Sequence, residues 1–469
     1  MPQLRTVPTP ISAGEEVLQQ LVDFERTGVP AGAGTDTNRG FDLGRMRKLL
    51  ARLGNPQDAL PVVHVAGSKG KGSVTAMLAA IMHAAGYRVG AYISPHVITL
   101  RERISVNSLP ISLSAFDALV GGAAEDIGAV QQEEAALSHF EAMTALALRH
   151  FQQEQVDIAV VEAGLGGARD ATNVFPAPGS DVPRGAGLRL AIITAVGLEH
   201  QAALGGGLTK IAAAKAGILK PGVPLVLGRQ PEPDAAAALR EAAAALGCPV
   251  LEPARTVELE SRGIELEAGG VREAVALRLL GESAGGEPGA ADVLEARLQL
   301  VGAHQLDNAA AAVTAALALA RDGFPRITHA AILAGLGAAV LPGRFQVVRR
   351  AFRGGVQDTL LVLDGAHTPA AAAALAATLR RAFPDAALAL VVGMAADKDA
   401  AGIMAALRRA APVAVAFTQA PIAGGLARAA APGKLAAYWQ AAGMADARPV
   451  RSRELIKASV TAALEAARC

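Results

Sequence analysis

Residues 65–73 read Val-Ala-Gly-Ser-Lys-Gly-Lys-Gly-Ser, a spacing suited to holding a chain of phosphates. Glycines at 67, 70 and 72 let backbone N–H groups approach an anion with no Cβ in the way. Lys71 adds a point charge for phosphate oxygens, and a helix starting at this point adds the partial positive charge of its N-terminus. Ser73 stands where a hydroxyl can meet a magnesium ion or a phosphate. The pattern departs from G-x-x-x-x-G-K-[ST], because Gly67 lies only three residues before Gly70 and Gly72 follows the lysine. A tight strand-to-helix turn with no ligand would read the same way.

Further polar residues stand directly after apolar runs. Ser94-Pro95-His96 follows 87–93, Glu162 closes 156–162, and Glu199-His200 follows 190–196. Open α/β sheets keep their ligand crevices at the C-terminal ends of such strands. Phosphates call for a divalent cation, and hard cations take carboxylate and hydroxyl oxygens, which makes Glu162 a natural magnesium ligand. Alone, a strand-end glutamate could merely cap a turn, and His200 could be a structural histidine. Three such groups facing one glycine loop argue for a site.

The elements that must position them alternate between strand and helix. Residues 61–66 read as a strand, 74–85 as a helix ending at Gly86, and 87–93, 156–162, 190–196 and 224–227 as further strands. Short apolar runs without polar alternation suit strands covered on both faces, as in a parallel sheet. Segments 176–189 and 281–292, rich in Gly with Pro or Glu, read as surface insertions, and 308–321 as a helix. Leu341-Pro342-Gly343-Arg344 breaks the pattern, after which strands at 360–363, 388–392 and 413–417 alternate with helices at 369–382 and 400–410. The expected fold class is α/β, with domains at 1–341 and 342–469, the first built on a mostly parallel sheet and the second smaller and doubly wound.

Composition narrows the function classes. A chain of 469 residues exceeds one ordinary core. Its 52% hydrophobic content with only 3% aromatics favours closely packed alanine-lined helices. Lys+Arg 44 against Asp+Glu 43 leaves a net charge of +1, which gives no electrostatic reason for a nucleic-acid or membrane partner. Cys248 and Cys469 are the only cysteines, too few for a disulfide framework or a cysteine metal site. No apolar run approaches the ~18–20 residues of a membrane span. Glu15, Glu16, Asp23 and Glu25 do not suit a transit peptide, and a mitochondrial or cytoplasmic location, not secretion, is expected.

Ten motifs, in order, carry a resemblance that spans nearly the whole chain: HVAGSKGKGSV (64–74), YISPHVITLRERISVN (92–107), LSHFEAMTALAL (137–148), VVEAGLGGARDATNV (160–174), ITAVGLEHQAALG (193–205), IAAAKAGILKPGVPLV (211–226), GAHQLDNA (302–309), LPGRFQ (341–346), LDGAHTP (363–369) and GMAADKD (393–399). The chain resembles the folylpolyglutamate synthase and dihydrofolate synthase branch of the Mur-ligase-like ATP-dependent ligases. That resemblance implies a P-loop ATPase domain with a Rossmann-like C-terminal domain. It implies that Gly70, Lys71, Gly72 and Ser73 hold the triphosphate of ATP, and that Ser94, Glu162 and His200 organise magnesium at two sites. Lys215 falls where family members carry a carbamylated lysine, so Lys71, His200 and Lys215 form the implied catalytic set. Asn308 matches the adenine or ribose contact, and Arg344 and Asp364 match residues through which the C-terminal domain reaches ATP. Leu137, Ser138, His139, Phe140, Arg169 and Asp170 fall at the pterin end of the substrate. His367 lies in a family signature, and a structural loop histidine is an equally open reading of it.

Departures refine the resemblance. Where many relatives read TNGKGS, GGRLDATN and DGAHNP, this chain has SKGKGS, GGARDATN and DGAHTP, which moves a loop arginine one place, to Arg169. With FDLGRM (41–46), LSHFE and AFTQAPIAGG (416–425), these variants look like the plant and algal dihydrofolate synthases. Family members usually continue past the position of Cys469 to one more strand, so a fragment or a differently built sheet edge is expected. The implied activity joins L-glutamate to dihydropteroate or a folate through an acyl phosphate, in a monomer with small-molecule partners. A peptidoglycan Mur ligase and a regulatory ATP-binding switch are the rivals. LSHFE and GLGGARDATN oppose the first, and the Glu162–His200–Lys215 set opposes the second.

Overall fold

The computed structural model describes residues 11–35, 41–134, 137–267, 270–280, 293–352, 356–419, 428–442 and 448–449. Its frame is an eight-stranded sheet of β1 (Pro61–Ala66), β2 (Val89–Tyr92), β3 (Ile104–Val106), β4 (Leu109–Pro110), β5 (Ile158–Glu162), β6 (Gly187–Ile193), β7 (Leu225–Leu227) and β8 (Val250–Leu251). The order is β4-β3-β2-β5-β1-β6-β7-β8. β2, β5, β1, β6, β7 and β8 run parallel, and β3 and β4 are antiparallel additions at one edge. β2 and β5 are buried along their whole length, which is why their sequences show no polar alternation.

One face packs on the helices Lys71–Ala84, Ala303–Arg321 and His329–Ala338. Small residues make this possible: a Cβ built on Gly335 would stand 2.3 Å from the Cα of Ile81, so two helix backbones nearly touch. The opposite face packs on the helices Leu43–Arg52, Leu113–Gly121 and His139–Gln153, through buried Leu49, Phe116, Leu146 and Phe151. Truncating any of these four to alanine would cost roughly 2–5 kcal/mol.

The helix after the glycine loop begins at Lys71, three residues before the sequence reading, because Gly70 adopts φ 90° and acts as its N-cap. The helix expected at 308–321 begins at Ala303. Of the insertion expected at 176–189, the last three residues belong to β6; the one at 281–292 lies outside the described residues, as do 450–469 with Cys469. Cys248 is buried with a free thiol. No helix among the described residues is long and apolar enough to cross a membrane.

A three-stranded antiparallel sheet escaped the sequence reading: β9 (Val257–Glu267), β10 (Gly270–Leu279) and β11 (Val293–Leu298), in the order β11-β10-β9. After the 341–345 turn, β12 (Gln346–Phe352) and β13 (Val356–Leu363) pair antiparallel, so the strand read at 360–363 is the end of a longer hairpin. β14 (Ala389–Val392), β15 (Ala414–Phe417) and β16 (Arg448–Pro449) then form a parallel sheet. The helices Pro369–Ala382, Ala400–Leu407 and Pro432–Ala441 accompany it. This part has its own core around Ile403, Met404, Phe417, Leu435 and Trp439.

Candidate active site

β1 ends at Ala66 and the chain turns at Gly67, where a Cβ would stand 1.8 Å from Thr194 Oγ1. Only glycine fits. The loop is laced to the segment after β6: Ser68 N and Lys69 N donate to Ala195 O at 2.9 and 3.1 Å, and Ser68 Oγ donates to Gly197 O at 3.1 Å. Gln230 braces that segment from behind, accepting from Val196 N at 3.0 Å and donating to Thr194 O at 3.1 Å. The helix that follows has no side-chain cap, which leaves its first N–H groups for an anion.

β5 delivers Glu162, only 3% exposed, to the same edge. Its Oε2 accepts from Ser94 N at 3.1 Å, and its Oε1 lies 3.7 Å from Lys71 Nζ. Burial pushes the Glu162 carboxyl up, opposed by Lys71, the Ser94 amide and Arg344. Ser73 is buried one helical residue beyond Gly72, whose built Cβ would lie 3.3 Å from Glu162 Oε2. The expected metal residues Ser94 and Glu162 are therefore in contact. No group of three or more His, Cys, Asp or Glu residues among the described residues could hold a metal by itself. One buried carboxylate beside the glycine loop is nonetheless a donor that suits magnesium carried mainly by phosphates and water.

Lys215 comes from the helix Leu208–Ala216, is 3% exposed, and donates to Gly67 O at 2.7 Å. Burial, then the Lys71 charge, lowers its ammonium to about 7, against the pull of Glu199 and Asp170. His200 adopts φ 52° at the start of a short helix and is exposed. It is held below the usual histidine value by partial desolvation, then by Lys71, Lys215 and Lys398, with Glu199 opposing. Glu199 itself is ion-paired to Lys69.

On the other side of the loop, a Cβ on Gly70 would meet Asn308 Oδ1 at 2.2 Å, and Asn308 donates to Gln305 Oε1 at 2.8 Å. Asp364 accepts from Phe345 N and Ala366 N, each at 2.8 Å, and so ties the 343–345 turn to the end of β13. Arg344 donates to Gly343 O at 3.2 Å and is close enough to influence Glu162. His367 contacts Gly365 O at 2.8 Å through Nδ1, and burial, Lys69 and Lys398 hold it below the usual histidine value.

The residues expected around the pterin divide in two. Leu137 is fully buried, and the Ser138 hydroxyl caps the helix His139–Gln153, accepting from Glu141 N at 3.2 Å. His139 is buried, and burial with Arg103 lowers it to about 4. Asp170 braces its own loop, accepting from Leu165 N at 2.6 Å and Thr172 N at 3.0 Å. Phe140 packs on Gly164, where a Cβ would lie 2.5 Å from the ring, and half-buried Arg169 donates to Phe41 O at 3.0 Å. Phe140 and Arg169 are thus the members with surface left to meet a ligand.

Sequence reasoning missed the groups that hold these in place. Arg103, 1% exposed, pairs with both carboxylate oxygens of Glu25 and donates to His96 Nδ1 at 3.0 Å. His64 on β1 bonds Thr172 at 2.7 Å and extends the Asp170 network under the sheet. Arg103 lay inside a quoted motif, but only the fold brings it to Glu25.

A strand-end glycine loop, its lysine and a buried glutamate, beside a second α/β unit, have the parts of a nucleotide-phosphate site in a two-part α/β enzyme. Residues 343–468 match the family model for the Mur ligase, glutamate ligase domain. The chain is 34% identical over 360 residues to the dihydrofolate synthase/folylpolyglutamate synthase of Bacillus subtilis, covering 76% of each chain. It superposes on the folylpolyglutamate synthase of Thermotoga maritima with a TM-score of 0.70 and 29% identity, covering 87% of this chain and 86% of that one. The Mycobacterium tuberculosis folylpolyglutamate synthase complexed with ADP and AMPPCP gives a TM-score of 0.72 at 29% identity, covering 91% and 90%. The chain belongs to the dihydrofolate synthase/folylpolyglutamate synthase family.

Proposed function

We propose that the protein is an ATP-dependent ligase that joins L-glutamate to the carboxylate of dihydropteroate, giving dihydrofolate. The observation that carries this reading is the meeting of Lys71, Glu162 and buried Lys215 around one glycine loop, in a chain of this family. The division of labour is ATP and pterin on residues 1–341 and completion of the site by 342–469. Gly70, Lys71, Gly72 and Ser73 take the triphosphate, and Asn308 the adenine or ribose. Arg344 and Asp364 reach it from the second unit, and Leu137, Ser138, His139, Phe140, Arg169 and Asp170 form the pterin side.

A carboxylate is a poor electrophile. Its oxygen attacks the γ-phosphorus of ATP, an O–P bond forms, and ADP leaves. The glutamate amine then attacks the acyl carbon, a C–N bond forms, and phosphate departs with the pair of electrons of the broken C–O bond. The amine loses one proton, which the departing phosphate takes up. Lys71 and the helix N-terminus offset the repulsion between two anions brought together. Closure of the second unit shields the acyl phosphate from water.

Glu162, with Ser73, Ser94 and His200, would hold magnesium, which would supply further neutralisation of phosphate charge. Lys215 is carbamylated in the working enzyme: its burial and its lowered pKa supply the neutral amine that carbon dioxide requires. The partners are small molecules, and the protein acts as a monomer in the mitochondrion or cytoplasm. A second reading, extension of the glutamate tail of tetrahydrofolate, uses the same groups and rests on the names of the relatives. Turnover with dihydropteroate compared with tetrahydrofolate, at saturating ATP and L-glutamate, separates the two. Faster turnover on tetrahydrofolate would favour tail extension over dihydrofolate synthesis.

A further inference from the structure

Glu273, at the middle of β10, is a carboxylate with no exposed surface. Its Oε2 accepts from Gly302 N at 2.7 Å, and its Oε1 accepts from Arg381 Nη2 at 2.7 Å. The same Arg381 nitrogen donates to Ser261 Oγ on β9 at 2.7 Å. Gly302 is the N-cap of the helix Ala303–Arg321, which carries Asn308. Arg381 lies in the last turn of the helix Pro369–Ala382, which follows directly on the Asp364–His367 loop. One side chain therefore joins the start of the helix that meets the glycine loop at Asn308 to the last turn of the helix that follows the Asp364–His367 loop.

Gly302 makes the joint tight. It adopts φ 118°, and a Cβ there would lie 2.8 Å from Thr378 Oγ1, on the helix that bears Arg381. Around this contact, Val271, Val301, Phe345, Ala376, Leu379 and Ala410 form one apolar cluster drawn from both sides of the 341–345 turn. A buried carboxylate is a weak stabiliser, because an apolar residue of similar size would fill the space with no charge to desolvate. An anion at this joint does what an apolar residue cannot: it supplies an acceptor to the helix N-terminus and a partner to a guanidinium at once.

We propose that Glu273 is a positioning residue of the nucleotide site: by holding Gly302 and Arg381 on its two oxygens, it sets the spacing between the Asn308 helix and the loop that carries Asp364. Glu273 touches no ligand and acts through its two partners. The inference rests on the ATP-dependent reading above and assigns that site a support on the antiparallel sheet, about which the second unit is held.

The test compares the full-length protein with Glu273→Gln, Arg381→Met, Arg381→Lys and the exchange Glu273→Arg/Arg381→Glu. The readouts are ATP titration by calorimetry, the separate KM values for ATP, pterin and glutamate, and thermal melting. Glu273→Gln and Arg381→Met are expected to weaken ATP binding and raise its KM by about tenfold, as for loss of a charged hydrogen bond. The pterin KM should stay within about twofold, since the pterin side shares no contact with the joint. Arg381→Lys should recover part of the loss. The exchange should not, because Gly302 N–H would then face a cation. Folded variants with unchanged ATP affinity, equal shifts in all three KM values, or restoration by the exchange would each overturn the proposal. Absence of pterin turnover in the unaltered protein would sink the functional reading, whereas calorimetry with ATP still decides the role of Glu273.

Discussion

Gly70 and Asn308 are in steric contact: a Cβ on the glycine would stand 2.2 Å from the asparagine Oδ1, at a φ of 90°. The phosphate loop is thereby set against a helix more than two hundred residues further along the chain. Gly70→Ala should lower kcat/KM for ATP on the order of 10²-fold, the cost of misplacing a reacting group by about an ångström. Adding Asn308→Ala removes the clash but leaves the left-handed backbone strained and also deletes the nucleotide contact proposed for Asn308, so the double variant should stay impaired relative to Asn308→Ala alone. Recovery of the double variant to the level of Asn308→Ala alone would mean that the backbone conformation at Gly70 is unimportant.

Lys71→Ala should reduce turnover on the order of 10³-fold, about 4 kcal/mol of transition-state stabilisation. Glu162→Gln should act differently, raising the magnesium concentration needed for half-maximal rate. The carboxylate lies 3.7 Å from Lys71 Nζ without forming a close bond, so the amide leaves the lysine in place. Steady-state rates over a magnesium series check both, and near-normal turnover in Lys71→Ala would move the phosphate site elsewhere.

For Lys215 the sign of the pH effect follows from its lowered value of about 7. Below that pH the ammonium form dominates and offers no lone pair to attack carbon dioxide. Above it the free amine dominates. Protein stripped of carbon dioxide should therefore be reactivated by bicarbonate more strongly at about pH 8 than at about pH 6, whereas an ordinary lysine near 10.4 would stay protonated at both. Lys215→Ala should be nearly inactive and partly rescued by acetate. A bicarbonate-independent rate across this range would rule out the carbamate.

Much of the parallel sheet was legible because its strands are buried on both faces and so leave unbroken apolar runs, as at Ile158–Glu162. The glycine loop was legible because its glycines cluster between a strand and a helix, where Gly67 and Gly70 take φ of 151° and 90°, whereas the side chains that crowd them, Thr194 and Asn308, are brought there only by the fold. The antiparallel sheet was not. Its strands Val257–Glu267 and Val293–Leu298 alternate with charged residues and resemble solvated loop until their pairing is known. Charged partners distant in sequence were equally hidden: Glu273 with Arg381, Glu25 with Arg103, and Lys69 with Glu199 meet only in the folded chain. Buried Ser138 and Asp170 show the reverse case, in which a motif names residues whose polar atoms the framework already uses.

Ligation itself is tested by release of phosphate from ATP by purified protein, measured with dihydropteroate and L-glutamate present together, each alone, and neither. Sustained release is expected only with both, with poor replacement of L-glutamate by D-glutamate or aspartate. Equal ATP hydrolysis with no acceptor present would contradict the ligase assignment.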